Sequence, residues 1–269
     1  MIKLIASDMD GTLLNDRKEL PEDFFEVFDE LERRGIKFTV ASGRSFDAVA
    51  HLFPEEYRTR LDFICDNGAN VIHEGKQVSV TPLDRPTFEQ LIRACEDIGG
   101  LRILVCAGRG TYHLTADAEF SAEIAKYYKN HIPCDDLLSV DDVIYKLAVC
   151  DMKGTQQHAK PAIDAIFGDR LNVQVSGPIW MDVMGAGVSK GSALRALGKH
   201  LGISADDTMA FGDFYNDADM LKYAGWSFAM ENGNPDIKRM TRFLARSNNE
   251  NGVLRAIRQY ALQEDSIKE

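Results

Sequence analysis

The sequence predicts an α/β protein with a mainly parallel core sheet and an inserted α+β domain. Near both ends of the chain, short apolar runs alternate with amphipathic stretches, a pattern typical of α/β units. In the middle, predicted strands come partly in adjacent pairs, which indicates an antiparallel sheet. The turn-rich segments "TPLDRP" and "GAGVSKG" bound that middle part. We therefore expect a core domain of residues 1–81 and 188–269 and an inserted domain of residues 82–187.

The first α/β unit begins with the strand "KLIAS", and a helix from Leu20 to Gly35 follows it. In this helix Phe24, Phe28 and Leu31 recur at helical spacing, and Gly35 is a C-terminal stop signal. The next two predicted strands are "IKFTVAS" and "LDFICDNGA".

The middle of the chain contains three predicted helices, "TFEQLIRACEDIG", "AEFSAEIAKYYKN" and "QQHAKPAIDAIFG". Its predicted strands are "LRILVCA", "GTYHLT", "VIYKLAVCD", "LNVQVSG" and "IWMDVMG". The alternation then resumes with "KGSALRALGKHLG", "TMAFGD", "DADMLKYAG" and "WSFAM", and a closing helix is expected from about residue 252 to residue 264.

The composition is that of an ordinary globular protein and excludes several partners. Of the 269 residues, 45% are hydrophobic and 27% are charged. No apolar run approaches the roughly 20 residues that a membrane span needs, and the N-terminus does not resemble a secretory signal, so we expect a cytoplasmic protein. The net charge of −11 and the lack of a basic stripe argue against a nucleic-acid partner. The five cysteines include no CxxC pair, and we expect them to be reduced.

Two aspartates one residue apart follow the first predicted strand, in "LIASDMDGTLL". Ligands of open parallel sheets gather beyond the carboxyl ends of the strands, where Asp8 and Asp10 would stand. Residues at i and i+2 of an extended segment face the same way, and Gly11 allows a sharp turn. Two close carboxylates repel each other unless a cation lies between them or one carries a proton. A solvated loop after a strand is the alternative.

The second strand ends in Ser42 and Gly43, which offer a hydroxyl and backbone N–H groups to a phosphate oxygen. An ordinary turn is the alternative. Lys190 lies in the first turn of a predicted helix behind the N-cap residue Ser189. Because the helix dipole is already positive there, a lysine fits best when an anion binds between them, although a solvated lysine explains it too.

Asp213, Asn216 and Asp217 follow the strand "TMAFGD". Carboxylate and amide oxygens beside a buried strand end indicate a hard cation such as Mg²⁺, with a polar loop as the alternative. Four such features, in this order and each at the end or start of a core element, are together unexpected by chance. The joint interpretation is one site for a phosphate and a divalent cation.

At these residues the sequence resembles a known family. "DMDGTLL", "ASGR", "GVSKGSAL" and "GDFYNDADM" are similar, in order, to the four signature motifs of the haloacid dehalogenase-like hydrolases. More narrowly, the chain resembles the Cof-type phosphatases, which have a Rossmann-like core and a large α/β cap inserted between the second and third motifs. The resemblance covers the whole chain, and every catalytic position matches.

The resemblance implies a role for each motif position. Asp8 would attack phosphorus and form an aspartyl-phosphate, and Asp10 would act as general acid and then as general base. Thr12 would orient the acid. Mg²⁺ would be held by the Asp8 side chain, the Asp10 backbone carbonyl and Asp213, with Asp217 supporting them. The residues implied in holding the phosphoryl oxygens are Met9 through its backbone, Ser42, Gly43, Lys190 and Asn216.

The resemblance leaves the substrate open. Similar proteins act on sugar phosphates, flavin mononucleotide and other small organic phosphates. Candidate contacts to the leaving group are Arg44 and Asn67, at core strand ends, and Asp182 in "WMDVM". The alternation of Asp182 with apolar neighbours also fits an exposed strand face. We expect Trp180 to belong to the core of the inserted domain.

These expectations amount to a Mg²⁺-dependent phosphatase of small phosphorylated metabolites, with an oligomeric state that the sequence leaves open. A phosphomutase that uses the same aspartyl-phosphate is one alternative. A non-catalytic regulator that binds a phosphorylated metabolite is another, although such a protein would not need Asp10.

Overall fold

The computed structural model describes residues 1–114, 120, 124 and 130–263. Contacts within the chain divide it into two compact units. Unit 1 comprises Met1–Gly43, Leu52–Val78 and Ser189–Glu269, and unit 2 comprises Arg44–His51 and Ser79–Val188.

A mainly parallel sheet forms the centre of unit 1. With strands numbered along the whole chain, it contains β1 (Leu4–Ser7), β2 (Lys37–Ala41), β3 (Asp62–Cys65), β4 (Asn70–His73), β5 (Lys76–Val80), β12 (Thr208–Gly212), β13 (Trp226–Met230) and β14 (Phe243–Ala245). Their order is β14-β13-β12-β1-β2-β3-β4-β5. Neighbours from β14 to β3 run parallel, and β4 is antiparallel to β3. The carboxyl ends of β12, β1 and β2 therefore lie side by side.

Among the described residues, unit 1 also contains six α-helices, and the two longest bury one face. Their bounds in unit 1 are α1 (Phe24–Arg33), α3 (Glu55–Arg58), α6 (Lys190–Leu201), α7 (Ala218–Tyr223), α8 (Pro235–Met240) and α9 (Gly252–Ala256). In α1 the buried residues Phe24, Val27, Phe28 and Leu31 form one face, as their spacing predicts. In α6, Leu194 and Leu197 pack into a core cluster with β-strand residues such as Leu4.

The sheet of unit 2 is mostly antiparallel. Its strands are β6 (Leu101–Ala107), β7 (Gly110–Leu114), β8 (His131–Cys134), β9 (Ile144–Asp151), β10 (Leu171–Val175) and β11 (Trp180–Gly185), in the order β10-β11-β9-β6-β7-β8. The pair β7/β8 is parallel, and the other pairs are antiparallel. Unit 2 also contains the helices α2 (Phe46–Ala50), α4 (Arg85–Ile98) and α5 (Ala159–Phe167).

Two of these helices bury their apolar faces against the unit 2 sheet. Phe88 and Leu91 of α4 and Ile163 of α5 form a core cluster with Leu147 and Val149 of β9. Asp84 is the N-cap residue of helix α4, and its carboxylate accepts a hydrogen bond from the Thr87 N–H at 3.0 Å.

The α/β fold class with a mainly parallel sheet and a second α+β unit is confirmed. The division into residues 1–81 with 188–269 and residues 82–187 stays a prediction. The predicted helix "AEFSAEIAKYYKN" lies outside the described residues, apart from 120, 124 and 130.

Several short elements were not predicted from the sequence. Strand β8 contains Pro133, and β14 has only three residues, so neither shows a strand pattern of useful length. The closing helix is α9 followed by a π-helical turn, Ile257–Ala261, and residue 264, its predicted end, lies outside the described residues. Among the described residues, no helix is both long and apolar enough to cross a membrane.

Candidate active site

The three parallel strands β12, β1 and β2 bring separate sequence motifs to one edge of the unit 1 sheet. Ser7 is opposite Phe211 of β12 and Val40 of β2, so the residues that follow each strand emerge together. Asp8 comes directly after β1, and its backbone N–H donates to the Phe211 carbonyl at 3.0 Å. The prediction that these motifs meet at the carboxyl edge of the sheet is confirmed.

Lys190 is the first residue of α6 and is completely buried. Its Nζ donates to Asp8 Oδ1 at 2.6 Å and to Asp217 Oδ1 at 2.7 Å. Ser189 caps the helix by a reciprocal pair of hydrogen bonds with Ser192, at 2.9 and 3.0 Å. The alternative of a solvated lysine is therefore wrong, because Lys190 is buried and its ammonium group lies between two carboxylates.

Asp217 organises the loop after β12. Its Oδ2 accepts hydrogen bonds from the backbone N–H groups of Asp213 at 3.0 Å and Phe214 at 3.2 Å, while its Oδ1 accepts from Lys190. Oxygen atoms of Asp8, Asp213 and Asp217 lie within 4.8 Å of one another. Because both Asp217 oxygens accept hydrogen bonds, its geometry favours a supporting role, and Asp8 and Asp213 are the better candidates for direct metal ligands.

Gly11 and Thr12 lie next to the Asp213 carboxylate. Gly11 has φ +78°, and a Cβ atom added there would lie 2.6 Å from Asp213 Oδ2. Only glycine combines this backbone conformation with so close an approach of a carboxylate. The Thr12 hydroxyl donates to Asp213 Oδ1 at 3.3 Å, so it orients this carboxylate, whereas the resemblance implied that it orients the acid.

Burial makes the carboxylate cluster electrostatically unfavourable when no cation is bound. Burial raises the pKa of Asp8 well above its ordinary value, the charges of Asp217 and Asp213 raise it further, and Lys190 opposes them. Burial and then Asp217 raise the pKa of Asp213 to about 6. Burial lowers the pKa of Lys190, but the charges of Asp217 and Asp8 outweigh it and leave that pKa above its ordinary value. Three carboxylates thus lie near one ammonium group, which contacts Asp8 and Asp217.

Asp10 has a different cationic partner from Asp8. Its Oδ1 accepts a hydrogen bond from Lys18 Nζ at 2.9 Å, and 37% of its side chain is exposed. Sequence reasoning missed Lys18, because a lysine in "NDRKE" resembles any charge in a surface loop. Each of the two aspartates of the first motif thus contacts a lysine: Asp8 contacts Lys190, which is distant in the sequence, and Asp10 contacts Lys18, which is near.

The predicted phosphate-binding residues lie in the same unit. The Ser42 carbonyl accepts from the Asn67 N–H at 3.1 Å, and Asn216 Nδ2 donates to Asn67 Oδ1 at 3.2 Å. A Cβ atom at Gly43 would lie 3.1 Å from Asn67 Oδ1. Asn67 therefore connects the second motif to the fourth, which its position in the sequence did not indicate.

Met9, whose backbone is also a predicted phosphate ligand, is buried, and its backbone carbonyl accepts from the Leu14 N–H at 2.8 Å.

Of the three predicted substrate contacts, Asn67 belongs to unit 1, and Arg44 and Asp182 belong to unit 2. Arg44 begins the segment Arg44–His51 of that unit. Asp182 in β11 is buried, and its Oδ1 accepts from the buried Lys146 Nζ of β9 at 2.6 Å. The exposed strand face considered for Asp182 is therefore wrong, because Lys146 neutralises the carboxylate inside the sheet layer. Whether Arg44, Asn67 and Asp182 contact substrate stays a prediction.

Comparison with known proteins identifies the family. The family model described as haloacid dehalogenase-like hydrolase matches residues 5–257. The chain is a haloacid dehalogenase-like hydrolase. The resemblance seen in the four motifs is confirmed, and so is the enzyme class, a phosphoric monoester hydrolase of this family.

Relatives of this haloacid dehalogenase-like hydrolase match over nearly its whole length. It is 31% identical over 258 residues to the 5-amino-6-(5-phospho-D-ribitylamino)uracil phosphatase YbjI of Escherichia coli K12, covering 95% of each chain. It is 28% identical to the HMP-PP phosphatase of Klebsiella pneumoniae, covering 88% of this chain and 87% of that one. The crystal structure of SMU.1108c from Streptococcus mutans superimposes with a TM-score of 0.90 at 28% identity, covering 97% of this chain and 100% of that one.

The acidic cluster of the hydrolase fits a divalent cation. Its carboxylate oxygens converge, burial raises the pKa of Asp8 and Asp213, and Gly11 keeps the space beside Asp213 clear of a side chain. Oxygen ligands of this kind suit Mg²⁺. A bound cation would remove the cost of holding these carboxylates ionised.

We predict that Mg²⁺ raises the unfolding temperature of the hydrolase more at pH 7 than at pH 5. Because the pKa of Asp213 is raised to about 6, the metal-free folded state binds a proton more tightly than the unfolded state does. The free energy of unfolding of the metal-free protein therefore falls as the pH rises from about 4 to 6. Mg²⁺ binds the ionised carboxylates and reverses this loss above that window.

Thermal unfolding with Mg²⁺ or EDTA at pH 5, 6 and 7 and constant ionic strength measures the effect. Asp213→Asn is the control, and we expect its Mg²⁺-dependent shift to be small at every pH. A shift of the wild-type protein that does not change with pH would contradict the prediction.

Proposed function

We propose that the protein is a Mg²⁺-dependent phosphatase that hydrolyses small organic phosphomonoesters through an aspartyl-phosphate on Asp8. The observation that carries the proposal is the environment of Asp8. This carboxylate stands buried at the carboxyl end of β1, 2.6 Å from the Lys190 ammonium group and grouped with Asp213 and Asp217. Phosphoryl transfer through a covalent intermediate requires a nucleophilic carboxylate that lies close to a cationic side chain and to residues able to bind a metal ion.

The reaction divides into two displacements. In the first, an Asp8 carboxylate oxygen forms a bond to phosphorus while the bond to the substrate oxygen breaks, and Asp10 gives its proton to that leaving oxygen. In the second, a water oxygen attacks the same phosphorus, Asp10 takes the proton of the water, and the bond to Asp8 breaks. Inorganic phosphate and the regenerated carboxylate of Asp8 are the products.

The residues around Asp8 serve positioning and charge neutralisation. Mg²⁺ would be held by the Asp8 side chain, the Asp10 backbone carbonyl and Asp213, and would neutralise charge on the phosphoryl group. Asp217 holds the Asp213 loop and Lys190 in place through its hydrogen bonds. The proposed donors to the phosphoryl oxygens are the Met9 backbone, Ser42, Gly43, Lys190 and Asn216.

For the substrate we propose a small phosphorylated metabolite. The named relatives are phosphatases of a phosphorylated ribitylaminouracil and of HMP-PP, which supports this class without selecting a member. The net charge of −11 means that Lys190 and the bound cation, and not the global field, would attract the anionic substrate. We retain Arg44, Asn67 and Asp182 as predicted substrate contacts and the cytoplasm as the predicted location.

Phosphate release from a panel of sugar phosphates, nucleotides, flavin mononucleotide and pyridoxal phosphate tests the proposal. We expect turnover with Mg²⁺ and none with EDTA. Transfer of phosphate to a second hydroxyl with little release of inorganic phosphate would establish a phosphomutase. Tight binding of a panel compound without turnover would establish a non-catalytic regulator, and either outcome would overturn the proposal.

A further inference from the structure

The segment "LNDRKE", residues 14–19, forms a tightly bonded turn, here called the 14–19 turn. The Asn15 side-chain carbonyl accepts hydrogen bonds from the backbone N–H groups of Arg17 at 2.9 Å and Glu19 at 3.1 Å. The Lys18 N–H donates to the Asn15 backbone carbonyl at 2.9 Å, and the Asn15 N–H donates to the Glu19 carbonyl at 3.1 Å. These bonds define the conformation of the turn from within.

Distant residues fasten the 14–19 turn to the rest of unit 1. The Asp16 carboxylate accepts from Asn248 Nδ2 at 3.0 Å and from Asn249 Nδ2 at 2.9 Å. Asn248 is buried, and its Nδ2 also donates to the Leu14 carbonyl at 3.0 Å. The turn is therefore anchored at its start by side chains that lie more than 200 residues away in the sequence.

This turn holds Lys18 in an unusual backbone conformation. Lys18 has φ +64°, which is disfavoured for a residue that carries a Cβ atom. From that position its ammonium group donates to Asp10 Oδ1 at 2.9 Å. The disfavoured conformation thus occurs at a residue whose side chain contacts an aspartate of the first motif.

Stability does not account for this arrangement. Lys18 and Asp10 side chains are 56% and 37% exposed, and ion pairs at such exposure contribute little to the free energy of unfolding. The contact does, however, restrain one carboxylate oxygen of Asp10. An ammonium group can only donate, so Oδ1 must remain an acceptor while Lys18 is bound to it.

We propose that Lys18 is a positioning residue for the acid–base step of Asp10, an inference that rests on the proposed function. By occupying Oδ1, Lys18 directs the transferable proton to Oδ2 and fixes the rotation of the carboxyl group. The proton on Oδ2 passes to the leaving oxygen as the phosphorus–oxygen bond breaks, and Oδ2 later takes the proton of the attacking water. Lys18 itself neither gains nor loses a proton.

The test compares substrates that differ in their need for an acid. An alkyl phosphate, such as the best sugar phosphate of the panel, has a strongly basic leaving oxygen that must be protonated. The leaving group of p-nitrophenyl phosphate is a weak base that departs without a proton. For Lys18→Met we expect kcat/KM to fall about tenfold on the alkyl phosphate and to stay within about twofold on p-nitrophenyl phosphate, because kcat/KM reports the first phosphoryl transfer.

Arg17→Met is the matched control, because Arg17 lies in the same turn and pairs with Glu19 at 2.8 Å. We expect it to leave both substrates unaffected, and Lys18→Arg to restore most of the alkyl phosphatase activity. Equal losses on both substrates would indicate that Lys18 only attracts anions, and unchanged kinetics would show that it has no role. Either result would overturn the inference, provided that the unfolding temperatures of the variants match.

Asp10→Asn separates failure of this inference from failure of the proposed function. If Asp10→Asn hydrolyses the alkyl phosphate as fast as the wild-type protein does, Asp10 is not the acid and the proposed mechanism is wrong. If Asp10→Asn loses this activity while Lys18→Met keeps it, only the role of Lys18 is wrong.

Discussion

Asp8→Asn is expected to lower phosphate release by on the order of 10⁴-fold or more, with the fold intact. The amide cannot act as the nucleophile that forms the aspartyl-phosphate, and no other carboxylate occupies its position at the end of β1. Among the described residues, Asp213 and Asp217 are the carboxylates grouped with it, and they are held by Thr12, Lys190 and backbone N–H groups.

The same substitution is expected to keep or raise the unfolding temperature of the metal-free protein at pH 7. Burial penalises the ionised Asp8, and Asp217 and Asp213 repel it, so a neutral amide of the same size removes an unfavourable charge. Lys190 retains Asp217 as its partner at 2.7 Å. Higher stability combined with lost activity would identify Asp8 as a residue selected for chemistry at a cost in stability.

Steady-state phosphate release and thermal unfolding measure the two effects. Asp207→Asn is the control, since Asp207 precedes β12 at the opposite edge of the same sheet and pairs with Lys3 at 3.0 Å. It should leave the activity unchanged. Substantial phosphatase activity in Asp8→Asn would exclude the covalent mechanism.

Lys190→Met is expected to destabilise the protein by about 3–5 kcal/mol at pH 7 and to abolish turnover. Lys190 is fully buried and supplies the ammonium group to Asp8 and Asp217. Its loss leaves three neighbouring carboxylates, of which Asp8 and Asp217 are buried, without that cation. The chain would unfold or protonate them, and either response removes the nucleophile.

Urea denaturation at pH 5 and pH 7 distinguishes this electrostatic cause from a simple packing defect. Burial raises the pKa of Asp8 well above its ordinary value and that of Asp213 to about 6, so at lower pH these two carboxylates can become neutral and the variant should recover part of its stability relative to wild type. A packing defect would show the same difference at both pH values. Lys199→Met is the matched control, because Lys199 lies exposed in the last turn of the same helix. We expect its unfolding midpoint to match that of the wild-type protein.

Much of the site could be predicted because its residues are local to strand ends. A buried strand such as "LIAS" has a readable apolar pattern, and in a parallel sheet its carboxyl end is where Asp8 must emerge. The same reasoning holds for Ser42 after β2 and Asp213 after β12. Fold class, motif order and site location thus follow from patterns of a few residues each.

The electrostatic partners could not be predicted in this way. Lys18 contacts Asp10 only because the turn between them is closed by Asn15 and fastened by Asn248. Asp182 alternates with apolar residues as an exposed residue would, yet Lys146 on the neighbouring strand buries and neutralises it. A hydrogen bond between distant residues leaves no periodic signal in either segment.

By itself, then, the sequence determined the α/β class, the four motifs and the edge of the sheet at which they meet. It did so because side-chain periodicity and strand direction are properties of short contiguous segments. Only the tertiary structure decided which lysine contacts these carboxylates: Lys190 contacts Asp8 and Asp217, Lys18 contacts Asp10, and Lys146 contacts Asp182. Such pairings depend on distances of about 3 Å between groups that packing brings together, and burial then sets their strength.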